Sequence, residues 1–386
     1  MPIKRVYGLA VAGCGALLLG FTANSPADAR DLRFAIGFPE GADVHKAAEI
    51  YADKLEDHSD GALSATVYPL SLLNFEEMTG GIGSGIADVG HVLTSYFVSE
   101  FPHFNMIGES TFLINLLETD DVTGRMAYVG AMSEFVFHHC PECHDEFLAQ
   151  NHVFTGNGAG GIYELACDDE MTSVDDIEGS RIRPPGSNWA RWVEAMDASP
   201  IFLSGNEIFE GLSQGVVDCV VISTQEMRNL GLIDATTDMT LHVPGGTYAS
   251  NGLANTNADV WQGLDDEQRE SMLRSGAEMA AEGLFIYFEQ EEGALDDLRD
   301  EGITIHEPDT DLMAATEEFF EQDMETITEQ YAREHGVERA EEMLGTFEEL
   351  LATWVERVEG IDSAEALAEA YWEYSFSNVD VSEYGE

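Results

Sequence analysis

Residues 180–189 read Ser180-Arg181-Ile182-Arg183-Pro184-Pro185-Gly186-Ser187-Asn188-Trp189. Ser180 to Arg183 reads as a short strand. Pro184-Pro185-Gly186 halts it, because proline offers no ladder donor and glycine turns freely. Ser187 and Asn188 are residue types that cap a helix, and the helix predicted after them runs from about Asn188 to Met196. Strand, turn and capped helix form half of a parallel βαβ unit. Arg183 then stands at the carboxyl end of its strand, where open α/β sheets hold their ligands. The N–H groups opening the helix would favour an anion at the same place.

The pattern continues on both sides. Ile162 to Cys167 reads as a strand, Val174 to Ile177 as a short helical turn, and Ile201 to Leu203 as a strand. Asn206 to Gln214 reads as a helix and Val217 to Ile222 as a buried strand. An earlier unit has the same grammar. Leu32 to Phe38 is a strand ending at Pro39 and Gly41. Asp43 can cap a helix carrying Val44, Ala47, Ala48, Tyr51 and Leu55, which Gly61 stops. Leu63 to Tyr68 and Val89 to Leu93 are further strands, with a helix over Phe75 to Gly85 between them. The strand ends of this unit present Phe38, Glu40, Asn74, Phe75, Thr94, Ser95 and Tyr96. Tyr248 to Asn255 reads as a strand that returns to the first unit. Beyond Asp259 the pattern is helical, over Gln268–Phe288, Thr310–His335 and Glu338–Val358, with a polar, frayed tail after Ser375. No internal repeat is evident. The expectation is an α/β protein of two lobes, each a mixed, mostly parallel sheet with helices. Residues 30–160 form lobe I and residues 161–245 form lobe II. Residues 246–386 supply a crossover strand and C-terminal helices packing across both lobes.

Residues 1–29 read as an export signal. Lys4 and Arg5 precede an apolar run from Val6 to Ala23, and Ala27-Asp28-Ala29 places cleavage after Ala29. Val11-Ala12-Gly13-Cys14 resembles a lipobox, but lipidation of Cys14 would strand Ala16 to Leu19 at the mature N-terminus, so soluble export is the preferred reading. No later stretch is long and apolar enough to span a bilayer.

The chain holds 74 acids against 17 Lys and Arg, a net charge of −57. Such a surface repels phosphates and excludes nucleic acid as a partner. Acids spread along the whole chain fit a saline medium, where salt screens their repulsion. The scarce cations are more informative. Between Lys54 and Arg181 the one base is Arg125, and then Arg181, Arg183 and Arg191 follow within eleven residues. Arg181 and Arg191 are expected to pair with surface acids such as Asp176 and Glu194. Arg183, fixed by its turn, offers a planar fork to a carboxylate or sulfonate.

Other motifs weigh less. Gly156 to Gly161 matches G-x-G-x-x-G, but a strand follows it where a dinucleotide site needs a helix, so it reads as a crossover between lobes. Cys140, Cys143 and His144 satisfy C-x-x-C-H, open to haem attachment, metal binding or a disulfide. An exported chain favours the disulfide, and with Cys167 and Cys219 three pairings are possible. No G-x-S-x-G elbow and no H-E-x-x-H is read, and paired acids carry no information in so acidic a chain.

Several motifs in order carry a resemblance. They are Phe38-Pro39-Glu40-Gly41 with His45, Ser59-Asp60-Gly61 before Tyr68-Pro69, and Gly85 to Val89. They continue with Ser173 to Gly179 before Arg181-Ile182-Arg183-Pro184, then Ala198-Ser199-Pro200, and Glu207 to Asp218. Together they resemble the DctP-like substrate-binding proteins of tripartite ATP-independent periplasmic (TRAP) transporters over nearly the whole mature chain. The resemblance implies a periplasmic binding protein of type II-like, two-lobed fold with long hinge helices. It implies capture of an organic acid for a membrane permease, with no catalysis and no cofactor or metal, by a monomer in the periplasm. It places the family's carboxylate-binding arginine at Arg183. The second arginine of sialic-acid-binding members falls near Tyr163 and their asparagine near Ile222, so the likeness does not extend to sialic acid. The expected ligand shell is Arg183, Tyr163, Asn188, Trp189, Ser223 and Thr224 from lobe II, facing Phe38, Glu40, Asn74, Phe75, Thr94, Ser95 and Tyr96. Trp189, Phe38, Phe75 and Tyr96 would suit an apolar or aromatic ligand body or line the hinge.

Overall fold

The computed structural model describes residues 1–2 and 30–386. The expected signal sequence with Lys4, Arg5, Cys14 and Ala29 lies outside the described residues apart from Met1 and Pro2. Two mixed sheets organise the rest. The first contains β1 (Arg30–Ile36), β2 (Leu63–Pro69), β3 (Val89–Leu93), β4 (His152–Val153) and β10 (Asn251–Asn257), in the order β2-β1-β3-β10-β4. The second contains β5 (Tyr163–Cys167), β6 (Arg181–Arg183), β7 (Ser199–Pro200), β8 (Cys219–Ser223), β9 (Asp238–Thr240) and β11 (Thr304–His306), in the order β11-β9-β5-β8-β6-β7. β1 pairs in parallel with β2 and β3, and β6 with β7 and β8. β10 and β5 run antiparallel to their neighbours. The chain therefore crosses between sheets three times: from β4 to β5 through residues 154–162, from β9 back to β10, and from β10 to β11. The architecture is the expected two-lobed α/β fold.

One device sets strand register in both sheets. Arg33 in β1 donates from its backbone N and from Nε to Asp88 Oδ2, at 2.9 and 2.8 Å, and from Nη2 to the Gly85 carbonyl. In the second sheet, Arg181 donates from its backbone N and Nε to Asp218 Oδ2, at 2.8 and 3.0 Å, and from Nη1 to the Gly215 carbonyl. Gly85 and Gly215 both adopt positive φ, 76° and 62°, where a side chain would be strained. The chain thus builds the same Gly-x-x-Asp clamp twice, a local repeat where none was expected from the sequence.

Helices cover the sheets and tie the lobes. The helix Asp266–Asp300, 35 residues, opens with a capping box in which Asp265 accepts from Gln268 N. It packs on Asp43–His58 in the first lobe and on Thr224–Asn229 and β11 in the second. Leu298 reaches the smaller core of the second lobe, with Ile208, Val220 and Met239. The helix Thr310–Glu334 packs on Ser187–Ala195, where Trp192 Nε1 donates to Thr316 Oγ1 at 3.1 Å.

Some local expectations change. Ile201–Leu203 is not a strand; the edge strand is β7, two residues earlier. The helix expected over Phe75–Gly85 is shorter, Met78–Gly83, which leaves Asn74 and Phe75 in the preceding loop. Asp43 is the first residue of its helix and does not cap it; it holds Lys46 and Asn229 instead. The tail is docked rather than frayed. Phe376 is buried, and Trp261 Nε1 donates to the Tyr384 carbonyl at 2.7 Å.

Candidate functional site

Between the carboxyl ends of the two sheets lies a narrow cleft, partly open to solvent, with a free volume of about 80 Å³. Arg183 forms one wall at the end of β6. It is 2 % exposed, and its Nε donates to the Leu203 carbonyl at 3.0 Å and its Nη2 to Tyr96 Oη at 3.1 Å. Nη1 makes no hydrogen bond among the described residues. Of the described Lys and Arg, Arg30 and Arg183 are the two without a carboxylate within 4.0 Å, and Arg30 lies at the exposed start of β1. A guanidinium buried without a counter-ion carries a desolvation cost that an incoming anion would offset.

The other walls are mostly apolar and aromatic. Phe38 and Phe75 meet edge to face at 4.8 Å, and Tyr163, Tyr248, Leu253 and Ile222 complete the lining beside the Gly158–Gly160 crossover. A Cβ at Gly158 would crowd the Leu253 side chain at 3.0 Å, so that side chain would have to shift to admit it. Among the polar groups that break this surface, three bear on its chemistry. His91 is buried with Nδ1 unpartnered, and burial pushes its imidazole down to about 4, so it is neutral at pH 7. Glu226, at the start of the helix Thr224–Asn229, is 5 % exposed. Its Oε1 accepts from Tyr287 Oη at 2.6 Å and from Asn229 Nδ2 at 3.2 Å, while its Oε2 has no partner. Burial pushes its carboxyl up to about 7, against those two hydrogen bonds. Tyr287 is the third, and burial raises its phenol well above the ordinary value.

Contacts across the mouth hold the lobes together. Tyr96 Oη also accepts from Gly205 N at 2.9 Å, Asn206 Nδ2 donates to the Gly37 carbonyl at 3.1 Å, and Asn229 Nδ2 reaches Asp43 Oδ2 at 3.3 Å. Ser95 Oγ donates to the Pro185 carbonyl at 3.2 Å and bonds Tyr248 Oη.

Of the residues expected from sequence, Arg183, Tyr163, Phe38, Phe75 and Tyr96 line this cleft. The others stand elsewhere. Trp189 is behind the wall, stacked on Tyr163 at 4.7 Å with its Nε1 on the Gly245 carbonyl. Asn188 is fully buried against Thr111. Neither Ser187 nor Asn188 caps the helix Ser187–Ala195; Ser187 N donates to Glu109 Oε1 at 3.2 Å, so a buried carboxylate of the protein already occupies that N-terminus. Ser223 caps the next helix, and Thr224 and the exposed Glu40 lie in a separate polar hollow. Asn74 turns its side chain to Glu77 N, and Thr94 bonds Asn105. Arg181 and Arg191 are ion-paired, as expected, but with Asp218 and Asp323 rather than Asp176 and Glu194; the Arg191 pair is buried. Sequence reading missed Glu226, His91, Tyr248 and Tyr287. Buried aromatic and histidine residues near the strand ends were the one available signal.

The Cys motif resolves as well. Cys140 pairs with Cys143 and Cys167 with Cys219, which face each other across β5 and β8. Both sulfurs of the C-x-x-C-H stretch are thus engaged, and His144 Nε2 is held by the Val136 carbonyl at 2.7 Å. Gly211-Leu212-Ser213-Gln214-Gly215 matches the hydrolase string G-x-S-x-G, but Ser213 is the exposed last residue of a helix rather than a strand-to-helix elbow.

Three solved structures share the fold. A marine-metagenome TRAP solute-binding protein specific for aromatic acids, in complex with 3-hydroxybenzoate, superposes with a TM-score of 0.72 at 18% identity, covering 85% of this chain and 99% of that one. A TRAP periplasmic solute-binding protein from Bordetella bronchiseptica with bound mandelate gives 0.68 at 18% identity, covering 84% and 99%. An extracytoplasmic solute receptor from Bordetella pertussis that binds pyroglutamic acid gives 0.67 at 18% identity, covering 83% and 99%. Residues 34–334 match the family model of DctP, bacterial extracellular solute-binding protein, family 7. That match takes in nearly all of both sheets, the cleft between them and Arg183, and it makes this chain a member of the bacterial extracellular solute-binding protein family 7.

Proposed function

We propose that this protein captures a small organic acid anion in the periplasm and delivers it to the membrane subunits of an ion-gradient-driven TRAP transporter. One observation carries the reading: Arg183 is a buried cation without an acidic partner in a mostly apolar cleft. A carboxylate would take its free Nη1, and Tyr163, Phe38 and Phe75 would enclose the body of the ligand. The solved structures of similar fold bind acids of this kind: hydroxybenzoate, mandelate and pyroglutamate. Residues 30–160 and 161–245 would act as the closing lobes, with 246–386 as the shared backing. The protein would act as a monomer and release its ligand unchanged.

A melting-temperature screen against monocarboxylates, dicarboxylates, hydroxy acids and sulfonates tests this. A matching acid at a hundred times its Kd should stabilise the fold by about 2.7 kcal/mol. Arg183→Ala should weaken binding of that acid at least about a hundredfold while the fold survives. Unaltered affinity of the variant by calorimetry would refute the anchor.

A further inference from the structure

The cleft has a second polar pole that the arginine does not explain. Among the residues lining it, Arg183, Glu226 and His91 are the basic and acidic side chains, and His91 is neutral. Glu226 comes from a different element, the helix after β8, and it is almost wholly buried. Its two oxygens are treated differently. Oε1 is saturated by Tyr287 and Asn229; Oε2 is buried and has no hydrogen-bond partner. A buried carboxyl oxygen without a donor costs free energy, so such an atom in a binding cleft marks where a ligand group belongs. Tyr163 lines the same cleft as Glu226 and Arg183.

We propose that Glu226 is the specificity-determining residue for the far end of the ligand, its Oε2 accepting from an N–H or O–H group carried by the same acid whose carboxylate Arg183 holds. The proposal rests on the organic-acid reading above and narrows it. The acid carries a ring or compact apolar body, contacted by Phe38, Phe75 and Tyr163, and a donor group remote from the carboxylate. An acid of the same shape that lacks the donor leaves Oε2 buried and unpaired. Sites built around a buried polar group reject such analogues strongly, while a merely apolar pocket cannot.

The surroundings of Glu226 are consistent with this role. Tyr287 from the long helix, Asn229 from its own helix, Asp43 from the first lobe and Tyr163 from β5 face it, and Lys46 neutralises Asp43. No cation touches it among the described residues, so a ligand donor is the group that completes it.

The test uses matched acids on the full protein by calorimetry: 3-hydroxybenzoate against benzoate, and pyroglutamate against cyclopentanecarboxylate. In at least one pair the donor-bearing acid should bind about tenfold or more tightly than its twin. Glu226→Leu should bring that ratio below about twofold. Glu226→Gln, which keeps the size and the bond to Tyr287 but turns an amide N–H toward the cleft, should do the same, and melting curves confirm that each variant is folded. Equal affinities within both pairs, no binding of either donor-bearing acid, or an unchanged ratio in folded Glu226→Gln each overturn the proposal. Arg183→Ala separates the two ideas. If it abolishes binding while the ratio survives in the Glu226 variants, the anchor stands and this proposal falls. If it leaves binding intact, the anchor itself has failed.

Discussion

Arg183 and Tyr96 meet across the cleft: Arg183 Nη2 donates to Tyr96 Oη at 3.1 Å, and the same oxygen accepts from Gly205 N at 2.9 Å. One hydroxyl from the first lobe therefore bridges the anchor and the backbone of the second. Tyr96→Phe removes that bridge and keeps the ring against Phe75. The variant should populate an open form more, seen as a larger radius of gyration in solution scattering without ligand. Because only the closed form completes the site, affinity for a matching acid should fall about tenfold. An unchanged radius and affinity would show that the bridge does not hold the lobes.

Glu226 gives the protein a pH signature. Its carboxyl titrates near 7 when folded but near 4.5 as a free side chain. The folded form then binds the extra proton between those values, so its penalty is absent below about pH 4.5 and grows as pH rises through 7. At pH 8 the penalty is on the order of 3 kcal/mol. Glu226→Gln should therefore be more stable than the parent at pH 8 in urea and equal to it at pH 4.5. Equal stability at pH 8 would contradict this.

His91 and His152 act in the opposite direction. Burial pushes both down to about 4, so the folded state stays neutral while the unfolded chain takes up protons below about 6.5. Their contribution is lost progressively as pH falls from 6.5 toward 4. His152→Gln, whose amide can still donate to the Thr79 carbonyl now 3.0 Å from Nε2, should flatten that acid slope. Urea midpoints at pH 7 and pH 5 measure it, and an unchanged slope would rule His152 out as a source.

The two disulfides should differ in weight. Cys167–Cys219 closes a loop with 52 residues of separation, and loop entropy assigns it up to about 4 kcal/mol; Cys140–Cys143 has a separation of 3 and is assigned about 2 kcal/mol. Paired serine substitutions, compared by denaturant unfolding, should show the larger loss for Cys167 and Cys219.

Gly130 should resist substitution. It lies on the helix Asp121–His139 against Trp354 of the helix Ala340–Val358, and a Cβ there would come within 2.3 Å of the indole. Trp354 is fully buried and its Nε1 donates to Glu134, so it cannot step aside. Gly130→Ala should cost about 1–3 kcal/mol despite alanine's better helix propensity. A stabilised variant in thermal unfolding would contradict this packing.

Most of the central strands were legible from sequence because strand and helix periods alternate from Leu32 to Ser223, whereas the short strands β4, β9 and β11 were not read; Arg183 stood out because cations are scarce. The rest of the site was hidden for physical reasons. Glu226 is one of 74 acids, and its burial depends on Tyr287, 61 residues away. The capping roles given to Ser187 and Asn188 fell to Glu109, whose carboxylate arrives from 78 positions upstream of Ser187. Tail docking was equally remote, resting on Trp261 and a segment more than a hundred residues later. Helix Asp121–His139 has buried residues around nearly its whole circumference, so it shows no amphipathic stripe for a periodicity argument to find.

The helix Asp266–Asp300 is about 52 Å long at 1.5 Å per residue, and it touches both lobes. A continuous hydrogen-bonded rod neither stretches nor shortens. Whatever the lobes do at the cleft mouth, their backs stay a fixed distance apart along this spine. Any relative movement of the lobes is therefore expected to be a swing about it rather than a withdrawal. A pair of fluorophores across the mouth would report that swing, while a pair along the spine would stay constant and serve as the internal ruler.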